Sequence, residues 1–255
     1  MTDLQRYLWL GLLGPLLWLQ GRRVRRTTPR LPEPPGERAG QAGSGPKLRV
    51  LIVGDSAAAG VGAATQQDAL SGQLLRRLSP HFSVEWRLLA VTGLDSPGLL
   101  RLLQATSASP VDVMILSIGV NDVTALTTPK RWVRWQTQLA QLIEERFSPK
   151  LLMHSAVPPM HAFKALPQPL RWFFGCWAHE FNRQLGMALA GEKRHILHTP
   201  FSSAVEDGLA ADGFHPGPRA YEAWAQSLSH HILATWQDAD ANADQPDPAI
   251  LAAPR

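Results

Sequence analysis

Five apolar runs alternate with longer amphipathic stretches along the chain, and this alternation limits the fold more than any other feature. Strands that are apolar on both faces are typical of a parallel sheet covered by helices on each side. The alternation of strands and helices predicts a three-layer α/β/α sandwich with a mostly parallel five-stranded sheet. The expected strands are 48–53, 84–91, 113–118, 151–157 and 195–199. The expected helices are 68–78, 97–104, 131–147, 170–189 and 218–236.

Before the first strand lies an uninterrupted apolar run, residues 7–19, followed by four arginines. The run is shorter than the roughly 20 residues of a spanning helix, and it lacks the cleavage site of a signal peptide. We expect residues 1–26 to be a membrane anchor that enters one leaflet while the arginines contact anionic headgroups. The alternative is a helix that packs on the protein's own surface. The arginines are Arg22, Arg23, Arg25 and Arg26.

The remaining boundaries follow from composition. Residues 27–47 are rich in Pro, Gly and charge and are expected to be a linker. Residues 48–237 form the α/β domain, and 238–255 read as a disordered tail. If the anchor spans, the positive-inside rule places the domain in the cytoplasm. We therefore expect a membrane-associated protein with its domain on the cytoplasmic side, and the periplasmic side stays open as an alternative.

Charge and cysteine content narrow the possible partners. Residues 1–47 hold eight Lys or Arg and three acids, whereas the rest of the chain holds 17 and 18. The excess of positive charge therefore lies in the N-terminal segment. Because the rest of the chain is nearly neutral, no nucleic-acid partner is expected. The single cysteine, Cys176, excludes an internal disulfide. The histidines show no ligand spacing, so no metal is expected. No organic cofactor is expected either.

Polar residues follow three of the expected strands and precede the last helix. They are Gly-Asp-Ser at 54–56, Thr-Gly-Leu-Asp-Ser at 92–96, Gly-Val-Asn-Asp at 119–122 and Asp-Gly-Phe-His-Pro at 212–216. Ligands of open α/β sheets bind at the carboxyl ends of the strands. The fold is therefore expected to bring these four segments to one rim.

Those segments contain the parts of a serine nucleophile site. Such a serine needs a base within hydrogen-bond reach, and the base needs an orienting acid. Ser56 is the candidate nucleophile, His215 the base and Asp212 the acid. The N–H groups of Ser56 and Gly93 and the side-chain amide of Asn121 are candidate oxyanion donors. The small residues at 57–62 are expected to leave room for a substrate carbonyl and to expose backbone donors.

In order and spacing, the four segments resemble the four sequence blocks of the SGNH hydrolases, also called GDSL esterases or lipases. The resemblance covers about residues 48–236. It implies a flavodoxin-like fold and a hydrolase of esters or thioesters that acts through an acyl-enzyme. The N-terminal anchor suggests that the substrate is lipid-derived or otherwise apolar. By motif position the resemblance assigns Ser56, Asp212 and His215 to the triad and Gly93 and Asn121 to the oxyanion hole. One departure is Ala57, where the family usually has leucine.

Two other functions remain open beside hydrolysis. The same residues serve an acyltransferase that moves an acyl group to a sugar or an alcohol. In the other alternative, the chain is a catalytically silent, membrane-tethered binding module. The expected partners are a small-molecule ester or thioester and, through the N-terminal segment, a membrane surface.

Residues after the fourth strand are candidates for the substrate pocket because they lie at the same rim. They are Val157, Pro158, Pro159 and Met160. In the following helix, Phe173, Trp177 and Phe181 recur at every fourth position and share a face. We expect that face to pack in the core, with a wall of an acyl pocket as the alternative.

Overall fold

A sheet runs through the middle of the chain, with helices packed on both of its faces. The computed structural model describes residues 3–192, 194–199 and 208–243. Within them the sheet has six strands in the order β1-β3-β2-β4-β5-β6, one more than expected. The strands are β1 (Ala39–Ala42), β2 (Lys47–Gly54), β3 (Ser83–Ala90), β4 (Val113–Ser117), β5 (Leu151–Ser155) and β6 (His195–His198). The three-layer α/β/α sandwich is confirmed.

The helices include the five that the periodicity predicts. Two short helices were not predicted, because four or five residues are too few to show a helical period. The helices are α1 (Asp3–Thr27), α2 (Ser56–Ala59), α3 (Leu70–Leu78), α4 (Ser96–Ala105), α5 (Val120–Thr124), α6 (Pro129–Phe147), α7 (Leu170–Ala188) and α8 (Pro218–Ala243). One 3₁₀ turn, Met160–Ala162, lies between β5 and α7.

The five predicted strands are parallel to one another, and the crossover direction reverses at β2. This strand pairs with β3 on one side and with β4 on the other. Its last residue, Gly54, is in register with Ala90 of β3 and with Ser117 of β4. Such a switch point opens a crevice at the carboxyl ends of the strands. The Asp-Ser pair that follows Gly54 begins at that crevice.

The extra strand lies in the segment that was expected to be a linker. Ala39–Ala42 pairs antiparallel with β3 at the edge of the sheet. Its sequence, Ala-Gly-Gln-Ala, has no apolar alternation, so no side-chain pattern signals a strand. Its pairing depends instead on the backbone groups that β3 leaves free on this side. The linker prediction is therefore wrong for residues 39–42.

Alternate residues of β2 enter two different cores. Val50 and Ile52 pack in a cluster with residues of α3 and α8. Leu51 and Val53 pack on the other face with residues of α4 and α6. Burial of both faces explains why the strand is apolar throughout.

The N-terminal helix α1 packs one of its faces on the domain. Leu17 is buried there, and the Gln20 side chain donates to the carbonyl of Gln168 (2.7 Å) and accepts from the Leu170 N–H (3.1 Å). This face of α1 therefore packs on the protein's own surface, which was the alternative to a membrane anchor. Among the described residues, no helix is long and apolar enough to cross a membrane.

The last helix continues past the predicted end of the domain. Helix α8 ends at Ala243, so residues 238–243 are helical rather than disordered. Three of these six residues are alanines, which have the highest helix propensity. The rest of the predicted tail, 244–255, lies outside the described residues.

Candidate active site

The nucleophile candidate lies in the turn between β2 and α2. Asp55 caps the helix, and its Oδ1 accepts a hydrogen bond from the N–H of Ala57 at 3.0 Å. Ser56 is the first helical residue, and its carbonyl accepts from the N–H of Val61 at 3.0 Å. An extended residue followed at once by a tight helical turn leaves the Ser56 side chain at the crevice.

The small residues around Ser56 are required mainly by contacts within the protein. A Cβ on Gly54 would lie 2.0 Å from the Ser117 carbonyl oxygen. At Gly62, where φ is +101°, a Cβ would lie 2.2 Å from the carbonyl oxygen of Pro216. Ala58 and Ala59 are fully buried in the core. The expectation that this run makes room for a substrate is therefore wrong for most of its members.

Ser56, His215 and Asp212 form one continuous hydrogen-bonded chain. The Nε2 atom of His215 lies 2.9 Å from Ser56 Oγ, and its Nδ1 atom lies 2.5 Å from Asp212 Oδ2. The other carboxylate oxygen of Asp212 accepts from the backbone N–H groups of Phe214 and His215, both at 3.0 Å. The Asp212 side chain is thereby fixed to the same short segment that carries the imidazole.

The charge state of Asp212 determines which atoms donate and which accept in these hydrogen bonds. Burial alone would raise the pKa of Asp212, but the hydrogen bonds from His215 and Phe214 outweigh it and lower the pKa. The ionised carboxylate can only accept, so Nδ1 of His215 carries the proton. In the neutral ring Nε2 is then an acceptor for the Ser56 hydroxyl. This is the polarity by which a histidine removes a proton from a serine.

Gly93, in the loop after β3, and Asn121, in the short helix α5 after β4, flank the Ser56 turn on opposite sides. Each follows a strand that pairs directly with β2. Gly93 has φ +85°, a conformation that glycine adopts without strain. The Nδ2 atom of Asn121 donates to the carbonyl of Leu94 at 2.8 Å, which joins α5 to the Gly93 loop. The structure thus brings both predicted oxyanion residues to the rim that holds Ser56.

A buried carboxyl group reinforces the same junction. Asp122 accepts hydrogen bonds from the N–H (3.1 Å) and the hydroxyl (2.9 Å) of Ser96. Burial raises the pKa of Asp122 to about 6, although the Ser96 bonds act in the opposite direction. Burial likewise raises the pKa of Asp55 to about 7, against the hydrogen bond from Ala57. Both acidic groups beside the proposed catalytic chain therefore favour their neutral form more than exposed carboxyls do.

Two of the four predicted pocket residues lie beside Ser56. Val157 and Pro158 line a narrow cavity of about 40 Å³ that Ser56 and His215 also line. Met160 is fully buried in the cluster against α7, and Pro159 lines an adjoining depression instead of this cavity. The prediction is wrong for those two, because the chain leaves the rim in a 3₁₀ turn. Other walls of the cavity are Ile118, Val120, Phe163, Phe214 and Trp224.

Two residues that sequence reasoning missed support the site. The hydroxyl of Tyr221 on α8 lies 2.8 Å from the carbonyl of Val61 and 3.0 Å from that of Ala57. Glu33 accepts hydrogen bonds from the backbone and the hydroxyl of Thr92. No linear pattern identifies either contact, because both join segments far apart in the chain.

The aromatic residues of α7 lie away from these contacts. Phe173, Trp177 and Phe181 are buried, as core packing predicts.

Comparison with known proteins agrees with this geometry. The sequence profile of the GDSL-like Lipase/Acylhydrolase family matches residues 52–223, which include the Ser56 turn and the His215 segment. The chain belongs to this family. The family is named for lipases and acylhydrolases.

Individual relatives are distant in sequence. A GDSL-like esterase of Mycobacterium tuberculosis is 26% identical over 195 residues, which cover 71% of this chain and 60% of that protein. The chain thus spans less than two thirds of that relative's length. A carbohydrate acetylesterase from Sinorhizobium meliloti has a TM-score of 0.56 at 16% identity, covering 74% of this chain and 99% of the other.

A lipase from a goat rumen metagenome has a TM-score of 0.55 at 19% identity, covering 71% and 95% of the two chains. These likenesses between structures establish the fold.

In the part of the chain that the structure describes, no three His, Cys, Asp or Glu side chains are grouped to hold a metal ion.

Proposed function

We propose that this member of the GDSL-like family is an esterase that hydrolyses carboxylic esters through an acyl-enzyme on Ser56. The observation that carries the proposal is the unbroken chain from Ser56 Oγ through His215 to Asp212. The family supports ester hydrolysis as the reaction class. Thioesters remain within the proposal, because the same nucleophile attacks either carbonyl.

In the first half of the reaction, His215 Nε2 takes the proton from Ser56 Oγ as the oxygen attacks the ester carbonyl. The tetrahedral oxyanion accepts hydrogen bonds from the N–H groups of Ser56 and Gly93 and from Asn121 Nδ2. That amide nitrogen has two hydrogens. One bonds to Leu94, so the other is left for the oxyanion.

The tetrahedral intermediate then collapses: the C–O bond to the alcohol breaks, and His215 gives its proton to the leaving oxygen. Water then attacks the acyl-enzyme with His215 as base, and the acid leaves as Ser56 regains its proton. Asp212 stabilises the imidazolium that forms in each step. Removing one oxyanion donor from such a site typically lowers the rate by roughly 10²–10³.

The test compares the parent with Ser56→Ala and with a control, Ser107→Ala. Ser107 is an exposed serine that is distant from Ser56 in the sequence. Each protein is assayed on p-nitrophenyl esters and treated with a fluorophosphonate probe followed by intact mass measurement. We expect turnover and a single labelled serine in the parent and in Ser107→Ala, and neither in Ser56→Ala. Absence of turnover and label in the parent would favour the silent binding module. Faster product formation with an added alcohol would favour acyl transfer.

We also propose that the outward face of α1 binds an anionic membrane surface. The side chains of Leu8, Leu12 and Leu19 are 63%, 71% and 58% exposed, although they are large and apolar. The arginines at 22, 23, 25 and 26 are exposed at the end of the same helix. Apolar side chains beside clustered arginines match the boundary between acyl chains and anionic headgroups.

Vesicle sedimentation tests this surface. We expect the protein to sediment with phosphatidylglycerol vesicles and much less with phosphatidylcholine vesicles at low salt. The double variant Leu12→Gln, Leu19→Gln should remain in the supernatant, whereas Met187→Gln on α7 should behave as the parent. Equal behaviour of all three proteins would contradict a membrane role for α1.

A further inference from the structure

A second cavity, much larger than the one at Ser56, lies between α1 and the domain. Its volume is about 440 Å³, within the roughly 300–1,000 Å³ typical of small-molecule sites. Its walls are mainly apolar and come from α1, from α7, from the short helix α5 and from neighbouring loops. We call it the α1 groove. Its aliphatic and aromatic walls include Leu10, Leu17, Leu166, Leu170, Phe173 and Phe174.

The α1 groove exists because glycines occupy two of the inward-facing positions of the helix. Leu10, Leu17 and Val24 face the domain at seven-residue intervals, and Gly14 and Gly21 lie between them on the same face. A Cβ on Gly14 would meet no atom within 4 Å. On Gly21 it would meet only the end of the Arg25 side chain, at 3.9 Å. Larger residues would close the space between α1 and α7.

The groove adjoins the proposed catalytic chain. Phe214, the residue before His215, lines both the α1 groove and the narrow cavity beside Ser56. Asn121, a proposed oxyanion donor, lines the groove as well. A chain attached to a carbonyl at Ser56 would run along Phe214, the wall that the two cavities share, toward α1.

We infer that the α1 groove binds the apolar chain of the substrate, so that the esters it takes carry a long alkyl or acyl chain. This inference rests on the hydrolase function proposed above and names its substrate class. The cavity at Ser56 has only about a tenth of the groove's volume. Of these two cavities, the α1 groove is therefore the one with room for a long chain. The N-terminal helix is then a wall of the substrate site as well as a surface helix.

Chain length provides the first measurement. Each buried methylene raises kcat/KM about fourfold if its transfer from water is retained in the transition state. The acyl arm uses p-nitrophenyl acetate, butyrate, octanoate and decanoate, and the alcohol arm uses ethyl, butyl and octyl acetates. The arm in which kcat/KM rises with length identifies which side of the ester enters the groove.

Gly14→Leu places a side chain in the groove, and Gly11→Leu is its matched control. Gly11 is exposed on the same helix, does not line the groove and has no atom within 4 Å of an added Cβ. Leucine favours a helix over glycine at both positions, so both variants should keep α1 folded. In the arm that rises with chain length, we expect the ratio of kcat/KM for the longest ester to that for the shortest to fall more than tenfold in Gly14→Leu and to stay at the parent value in Gly11→Leu.

A binding measurement keeps this inference separate from the proposed hydrolysis. Calorimetric titration of the Ser56→Ala protein with decanoate, below its micelle concentration, needs no turnover. We expect binding that Gly14→Leu weakens more than tenfold and Gly11→Leu does not change. No decanoate binding, or equal effects of the two leucines, would overturn the role of the groove. Decanoate binding without any ester turnover would overturn the hydrolase function alone.

Discussion

Glu33 Oε1 lies 2.8 Å from the backbone nitrogen and 2.7 Å from the hydroxyl of Thr92, the residue before Gly93. Its other oxygen pairs with Arg38 at 2.7 Å, and Arg38 in turn donates to the carbonyl of Ala90. The segment before β2, expected from composition to be a linker, therefore holds the loop that carries a proposed oxyanion donor.

Glu33→Ala should lower kcat by about three- to tenfold, the effect of one or two ordinary hydrogen bonds. The Gly93 loop would lose its contact with the N-terminal segment, while Ser56 and His215 would remain in place. Steady-state kinetics should show the change mainly in kcat. Glu37→Ala, which removes an exposed carboxylate four residues away, is the control. A similar loss in both variants would contradict a positioning role for Glu33.

Asp212→Asn should lower kcat by about 10⁴, as expected when the orienting acid of a triad becomes an amide. The amide no longer requires the proton on Nδ1 of His215, so Nε2 ceases to be a reliable acceptor for Ser56. Single-turnover kinetics and circular dichroism separate lost chemistry from lost folding. Glu222→Gln, on the exposed side of α8, should retain parental activity. Activity of Asp212→Asn within tenfold of the parent would exclude this acid from catalysis.

Tyr221→Phe should destabilise the protein by about 1–2 kcal/mol, because the buried carbonyl of Val61 loses its donor. The turn around Ser56 also loses a constraint at Ala57, so kcat should fall with little change in KM. Urea unfolding and steady-state kinetics measure the two effects. Thr235→Val removes a hydroxyl on the same helix that bonds only to the carbonyl of His231. Identical unfolding midpoints for the two variants would contradict the role given to Tyr221.

Asp122→Asn should change how stability depends on pH. The folded pKa of Asp122, about 6, lies above its ordinary value of 3.8. Its contribution to the parent is therefore fully present below pH 4 and is lost as the pH rises through 6. Relative to the variant, the parent's free energy of unfolding should fall by up to roughly 3 kcal/mol between those values. Urea unfolding at pH 4, 5, 6 and 7 measures the difference.

Asp112→Asn should show the opposite slope and serves as the comparison. Burial acts to raise the pKa of Asp112, but hydrogen bonds from Arg49 and Lys150 outweigh it and lower the pKa. Its contribution is present above the ordinary pKa and disappears as the pH falls through the lowered value. The parent should therefore lose stability relative to this variant on acidification. Parallel slopes for Asp112→Asn and Asp122→Asn would contradict both assignments.

The site was more predictable than its surroundings. Ser56, Asp212 and His215 are identifiable because their chemistry requires particular residue types next to strand ends and helix starts. Met160 and Pro159 were wrongly placed because the path of a proline-rich loop depends on packing that no local pattern encodes. The edge strand at 39–42 was missed for a related reason, since its pairing is through the backbone and its side chains carry no period.

The sequence by itself determined the sandwich, the parallel strands and the order of the four polar segments along one rim. These follow from local propensity and from apolar periodicity, which are properties of neighbouring residues. Only the tertiary structure decided that α1 lies over the domain with a groove beneath it, and that Glu33 and Tyr221 reach the loops of the site. Such contacts depend on the distance between segments in space, and that distance is set by the packing of the whole chain.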